Sequence, residues 1–341
     1  MLKFILKRLL FLPVVMLGVT ALLFMILQFL SPEMRASLYI KDPRQLSALE
    51  SIIEKYGLRK PMPVQYGIWL KQVVHGDLGY SETAKMPVAD AIRAFMPATF
   101  ELTLVSFFPI LLIGVYFGTL SAVYKDKWLD QLTRFVAITG YSLPSFVLGL
   151  LLLMVFYGRL QWLPPGRYSL DVDLLIHSDA FNHYTGMLTG DTLLNGQWSA
   201  FVDVLKHLIL PGLTLVYIDL ALLLRITRSS MLEELGKDYI RTARAKGLPG
   251  SVIVYKHALK NALIPVVTLS SLLFIQLLGG VVITETVFDF PGIGRWGVVA
   301  AQQLDIPGVL GSTLLAAGLF VLSNLVSDIL YAVVDPRIRI G

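Results

Sequence analysis

Cysteine is absent from the 341 residues, which excludes disulfides, thiolate nucleophiles and zinc or iron–sulfur sites held by cysteine. Charge is scarce too. Asp, Glu, Lys and Arg make up 16% of the chain, against roughly 25% in an ordinary soluble domain, while 55% is hydrophobic. That balance points to a lipid bilayer as the surrounding solvent. No Walker-type phosphate loop occurs, so ATP is not bound by that route, and there is no Gly-x-Ser-x-Gly elbow or His-Glu-x-x-His pair. Of the five histidines, His75, His177, His183, His207 and His257, only His177 and His183 lie close together, at a spacing that suits neither a helix face nor a strand face. No metal site is expected from them. The net charge of +5 does not argue for nucleic acid, because in a membrane protein the side on which Lys and Arg fall matters more than their sum.

What the chain has in abundance is apolar runs of membrane length. The first, Leu9 to Leu30, follows Lys3, Lys7 and Arg8. It is longer than the about 7–15 residues of a signal-peptide core, and no small-residue cleavage site follows it, so a retained transmembrane helix is expected. Five more runs follow: Leu102–Tyr124, Phe135–Gly158, Leu208–Leu224, Ala262–Thr284 and Ile306–Ser327. All but the third of these are uncharged over roughly the 20 positions a span needs, and Leu208–Leu224 contains only Asp219. Pro109, Pro144 and Pro211 fall in or near the runs, where bilayer helices tolerate them. The expected fold is an all-α membrane protein of six transmembrane helices, divided into a first helix (1–31), an outer loop or cap (32–98) and a five-helix core (99–341) with a connecting loop at 227–262.

Lys and Arg set the orientation. With the N-terminus inside, the inner segments hold Lys3, Lys7 and Arg8, then Lys125, Lys127 and Arg134, then eight basic residues from Arg225 to Lys260, then Arg337 and Arg339. The opposite loops are poorer: three basic residues against five Asp from Arg159 to His207, and Arg295 against three acids from Glu285 to Asp305. The loop from Ser31 to Ala98 carries nine basic residues, but loops beyond about 60 residues cross largely regardless of charge. Both termini are expected in the cytoplasm.

In that outer loop, Leu46, Leu49, Ile52 and Ile53 have helical spacing within Pro43–Tyr56, Gly57 is placed to stop the helix, and Pro63–Val74 suits a second one. The loop from Gln161 to Asp203, rich in Pro, Gly, Asp and Asn, is expected to be irregular.

Three features could carry function. Burying the Asp219 carboxylate in lipid costs about 2.5–3.5 kcal/mol, so it must face protein or water, either as a polar point on a translocation path or in an inter-helix hydrogen bond or ion pair. Glu285-Thr-Val-Phe-Asp-Phe-Pro-Gly-Ile-Gly-Arg295 is an apolar helix running into a Pro-Gly-x-Gly loop, suited to non-helical backbone at the outer face or to an ordinary turn. Asp219, Glu285, Thr286 and Phe288 are the candidate pathway or gate residues, whereas Asp328 suits an interfacial anchor. The third feature is Asp238-Tyr-Ile-Arg-Thr-Ala-Arg-Ala-Lys-Gly-Leu248, a basic helix between two spans with Asp238 suited to N-capping and Gly247 to C-capping. Its geometry sets Ile240, Ala243 and Gly247 on one small face and Arg241, Arg244 and Leu248 on another. With no Trp or Phe, the helix has little to offer lipid, and a small, flat face beside a basic one suits insertion into a groove on an acidic protein.

Tyr239-Ile-Arg-Thr-Ala-Arg-Ala-Lys-Gly-Leu248 with His257-Ala-Leu-Lys-Asn-Ala-Leu-Ile-Pro265 resembles the coupling loop of ABC importer permeases of the dipeptide/oligopeptide branch. The likeness extends to Tyr56-Gly-Leu-Arg-Lys-Pro61, Gly76-Asp-Leu-Gly79, Pro97-Ala-Thr-Phe-Glu-Leu102, Leu208-Ile-Leu-Pro-Gly212, Pro291-Gly-Ile-Gly294 and Asp335-Pro-Arg-Ile-Arg339. Departures are Arg241-Thr-Ala243 in place of the generic Glu-Ala-Ala and Ser31-Pro-Glu-Met34 in place of a Gly-Asp-Pro.

The resemblance implies a cytoplasmic coupling helix between spans four and five, with Asp238, Tyr239, Ile240, Arg241, Thr242, Ala243, Arg244, Ala245, Lys246, Gly247 and Leu248 gripping an ATPase. It implies a second homologous permease, two ATP-binding subunits that hold ATP and Mg, and an extracytoplasmic substrate-binding protein, all at a prokaryotic inner membrane. The chain itself would be no enzyme and bind no cofactor. Peptides are the expected cargo, with nickel or oligosaccharides on the same machinery, or a secondary transporter, as alternatives.

Overall fold

An apolar stretch in a bilayer has no water to satisfy its backbone, so it must close its hydrogen bonds internally as a helix, and the long elements obey this. A computed structural model describes residues 2–39, 49–279 and 281–334. In chain order come α1 (Leu2–Leu27), α2 (Pro32–Ala36), α3 (Leu49–Lys55), α4 (Met62–Val74), a hairpin of β1 (Tyr80–Ser81) and β2 (Met86–Pro87), and α5 (Val88–Val123). Next are α6 (Trp128–Ser142), α7 (Ser145–Leu152) running into a wide π-type stretch to Arg159, α8 (Leu170–Ile176), α9 (Leu188–Leu194) and α10 (Trp198–Leu235). The chain closes with α11 (Asp238–Ala245), a second π-type stretch (Val252–Ala258) leading into α12 (Leu259–Leu278), then α13 (Val282–Val287), α14 (Ile293–Gln302) and α15 (Ile306–Val334).

Among the described residues four helices are long and apolar enough to cross a membrane, 88–123, 198–235, 252–278 and 306–326, and α6 with α7 makes a fifth if the pair is one span. Helix α1 carries the first apolar run from Leu9 as far as Leu27. The run expected as one straight helix, Phe135–Gly158, is bent by 104°. Pro144 is the cause: it lacks an N–H and forces Leu143 out of the helical region, to φ −90° and ψ 123°. The run expected to Thr284 ends at Leu278, and α13 is a separate element.

The stretch after α1 holds α2, α3 and α4, with Gly57 at φ +63° following α3, and a two-stranded hairpin that an all-helical reading did not foresee. The first part of the helix expected over Pro43–Tyr56, the ending Asp335–Arg339 and the side chain of Asp328 lie outside the described residues. Phe24 and Leu27 of α1, Ile52 and Ile53 of α3, Trp69 of α4, and Leu310 and Leu314 of α15 form one buried cluster. Arg35 is buried beneath it, donating to Gln28 and Gln65, each at 2.6 Å. The connection between α7 and α10 is more ordered than its composition suggests. Arg167 donates to the buried Glu101 of α5 at 2.9 Å, and the Thr189 amide at the start of α9 donates to the same carboxylate at 2.5 Å.

At the centre α5 and α10 lie against each other with Gly114 and Gly118 at the contact. A Cβ on Gly118 would stand 2.6 Å from Cβ of Thr227, and one on Gly114 2.7 Å from Leu223. Small residues four apart are how bilayer helices bring their backbones together. Gly118→Val is therefore expected to lower stability by about 1–3 kcal/mol through overpacking, seen as a lower thermal midpoint in detergent. Gly318→Val, where a Cβ meets nothing within 4 Å, is the control that should leave the midpoint unchanged.

Candidate functional site

The α11 segment is built onto the end of α10. Ile240, fully buried, and Ala243 pack with Met231 of α10, Ala122 of α5 and Ile253, Ala258 and Ala262 on the way into α12. The small face expected to enter a partner's groove is thus turned inward, because three helix ends of the same chain supply apolar surface for it. Tyr239 adds a polar tie: its hydroxyl donates to Glu234 at 2.5 Å and accepts from Nδ2 of Asn261 at 3.1 Å. Burial, followed by the hydrogen bond to Glu234, raises the Tyr239 phenol above its ordinary range. Lys237 donates to Glu234 at 2.5 Å, and that bond holds its ammonium above the usual lysine value.

Lys237, not Asp238, holds the N-cap geometry, at φ −74° and ψ 155° with no side-chain cap bond. Asp238 instead begins the first turn, where its charge meets the positive end of the helix dipole, and it pairs with Arg241 at 3.2 Å. The other end is as expected. Gly247 sits at φ +73°, its amide donates to the Arg244 carbonyl at 2.9 Å, and the Leu248 amide donates to that of Ala243 at 3.3 Å. These two bonds make a Schellman cap, which needs the left-handed conformation that glycine adopts freely. Asp238, Arg241, Thr242, Arg244, Ala245, Lys246 and Leu248 are exposed, so α11 presents a basic outer face on a rigid mount.

Asp219 lines a cavity of about 290 Å³ with Ser145, Gln276 and Thr284. Among the described residues its carboxylate has no hydrogen-bond or ion-pair partner, so the expected alternative of an inter-helix bond is not realised among them. The neighbouring candidates are placed differently. Glu285 is fully buried, accepting from Thr99 Oγ1 at 2.6 Å and from the Arg295 amide at 2.8 Å, with the Gly294 amide as a third donor. Burial pushes its carboxyl up and the three donors oppose that shift. Thr99 in turn accepts from the Ile293 amide at 2.8 Å. Glu285 therefore caps the start of α14 and ties it to α5, and a Cβ on Gly292 would collide with its carboxylate. Phe288 is wholly buried, its carbonyl accepting from the Gly166 amide at 2.7 Å, while Thr286 is exposed. Neither Glu285 nor Phe288 reaches the Asp219 cavity, which α13 lines through Val282, Ile283 and Thr284.

Sequence reasoning missed a buried ion pair. Asp130 of α6, with no exposed surface, accepts from Nε and Nη2 of Arg228 on α10 at 2.6 and 2.8 Å, from Ser121 Oγ at 2.5 Å and from the Asp126 amide at 2.9 Å. Opposite charges at the ends of two apolar runs were the available signal. Pairing them needs the knowledge that α6 and α10 are neighbours.

Two family models cover the chain. One described as "Binding-protein-dependent transport system inner membrane component" matches residues 114–340, and one described as "Binding-prot-dependent transport system membrane comp, N-term" matches residues 1–103. Among similar proteins, the probable D,D-dipeptide transport system permease protein DdpB of Escherichia coli is 46% identical over 97% of this chain and 95% of its own length. The dipeptide transport system permease protein DppB of Alkalihalophilus pseudofirmus is 40% identical over 99% of this chain and 100% of its own. The oligopeptide transport system permease protein AppB of Bacillus subtilis is 39% identical over the same shares.

Proposed function

Because the chain belongs to the family of inner membrane components of binding-protein-dependent transport systems, we propose that it is a permease subunit of an ATP-driven importer of di- and oligopeptides. The observation that carries this reading is end-to-end similarity to dipeptide and oligopeptide permeases, with identities of 39–46%. In this proposal a second homologous permease completes the pathway, two ATP-binding subunits hold ATP and Mg, and an extracytoplasmic substrate-binding protein delivers the peptide.

The six spans are α1, α5, α6 with α7, α10, α12 and α15, with both termini cytoplasmic. Supporting this orientation, Ala122, just before Lys125 and Lys127, packs against Ile240 of α11, so two basic connections share one end of the bundle. In α11 the inward residues Ile240 and Ala243 and the Tyr239 hydroxyl hold the mount, Gly247 turns the chain, and Asp238, Arg241, Thr242, Arg244, Ala245, Lys246 and Leu248 meet the ATPase. Closure of the ATPase pair would move α11 and, through Glu234 and the Ile240 contacts, α10 with it. The pathway runs past Asp219, an unpaired carboxylate facing open space that suits a cationic group on the cargo. In this reading Glu285 and Phe288, both buried, support the region, and their burial favours that role over lining the gate.

The deciding experiment is uptake of a labelled dipeptide with ATP depleted while the ion gradient is clamped. Uptake should stop, and the cognate binding protein should carry peptide when purified. Uptake that continues on the gradient alone, or bound nickel or oligosaccharide, would overturn the proposal. Asp219→Asn should cut peptide uptake by about tenfold, the loss of roughly 1.4 kcal/mol of charge interaction, while the assembled complex is recovered in normal amount. Unchanged uptake would remove Asp219 from the pathway.

A further inference from the structure

A second cavity, of about 400 Å³, opens between α6 and α10 at the end of the bundle that bears α11. Arg134, Arg225 and Arg228 line it, with the hydroxyls of Ser121, Ser142 and Ser229. Three guanidinium groups share its wall, and their charges are unequally compensated. Arg228 is committed to Asp130, whose carboxylate is completed by Ser121 and the Asp126 amide. Arg225 lies over the ring of Tyr141 at 5.0 Å, a contact that engages the face of the guanidinium and leaves its in-plane donors free. Arg134 has no hydrogen-bond or ion-pair partner among the described residues. Two cations therefore face the cavity without a counter-charge among the described residues.

The surroundings say what kind of anion fits. Guanidinium forks match the oxygens of phosphate. Beside the cavity, Leu132, Phe135, Ile138 and Tyr141 recur every three residues along α6 and are all more than half exposed, so the charged wall continues into a strip fit for an acyl chain. A free phosphate would use the first feature and gain nothing from the second.

We propose that this cavity binds the phosphate headgroup of an anionic phospholipid, with Arg134 and Arg225 as its ligands and the α6 strip as the bed for its chain. Basic pockets between membrane helices take acidic headgroups for the same reason. The site would act at the joint between α6 and α10, one turn from Met231 and Ala122, on which α11 is mounted.

Short-chain phosphatidylglycerol, phosphatidylcholine and inorganic phosphate, titrated in turn against the full chain in mild detergent, test this by native mass spectrometry. The wild type should prefer phosphatidylglycerol over phosphatidylcholine. Arg134→Gln should weaken phosphatidylglycerol binding by about fivefold, and adding Arg225→Gln by about fivefold again, at roughly 1 kcal/mol per arginine. Arg134 is exposed and unpaired, so the single variant should fold even if the double variant does not. Equal retention of phosphatidylglycerol by the wild type and Arg134→Gln would overturn the proposal. So would displacement of that lipid by inorganic phosphate at equal concentration, which would mark a soluble-anion site.

Discussion

Replacing Gly247 by valine is expected to uncouple ATP hydrolysis from uptake while leaving membrane insertion intact. The residue stands at φ +73°, where a side chain costs about 1–2 kcal/mol and a β-branched one more. Crowding is not the cause, since a Cβ there would meet nothing within 4 Å. The cost is purely conformational, and the chain escapes it by abandoning the left-handed turn. That breaks the two cap bonds to the carbonyls of Arg244 and Ala243 and swings the Arg244–Lys246 end of the presented face away from its partner. Uptake in reconstituted vesicles should fall by about tenfold or more, with ATPase activity retained. Gly247→Asn is the discriminating control, because asparagine tolerates this conformation and should transport near the wild-type rate. A valine variant that transports at full rate would place the docking surface elsewhere.

Removing the Glu285 carboxylate is expected to cost the most stability of any single change considered. Glu285→Ala leaves the Thr99 hydroxyl and the amides of Gly294 and Arg295 without their acceptor, at about 1–3 kcal/mol for each buried orphan. Non-additivity keeps the expected total near 3–5 kcal/mol, and folded yield on size exclusion should collapse. Gly292→Ala attacks the same hub from the other side, driving a methyl into the carboxylate, and should give the same loss. Glu285→Gln keeps an acceptor but turns an NH2 group toward donors, so it should fall between. The outcome separates two roles. A folded, normally stable Glu285→Ala protein with altered transport would make Glu285 a gate residue after all.

How far the primary structure reached is visible in particular residues. Hydrophobic run length located the four helices long and apolar enough to cross a membrane among the described residues, because a bilayer admits only segments that satisfy their own backbone. The Gly247 cap was legible because it depends on the conformational freedom of one residue and on hydrogen bonds three and five residues apart. The break at Pro144 could have been read locally, but the 104° bend depends on what α7 packs against. Facing directions were misjudged where they depended on neighbours. Ile240 and Ala243 looked like a docking face and proved to be a mount, since periodicity tells which residues share a face but not what covers it.

From the sequence alone, then, came the membrane class, the basic helix between two apolar runs, the lack of a Walker-type phosphate loop, and the isolation of Asp219 within its run. Each depends on composition or on contacts within a few residues. Only the tertiary structure decided that Glu285 is a buried clasp held from Thr99 and Arg295, that Asp130 consumes Arg228 and, among the described residues, leaves Arg134 and Arg225 without a counter-charge, and that Asp219 faces open space. Those facts are set by partners many residues away. A charged or polar side chain takes its role from the groups that the packed helices bring within about 3 Å of it, and no local pattern records that distance.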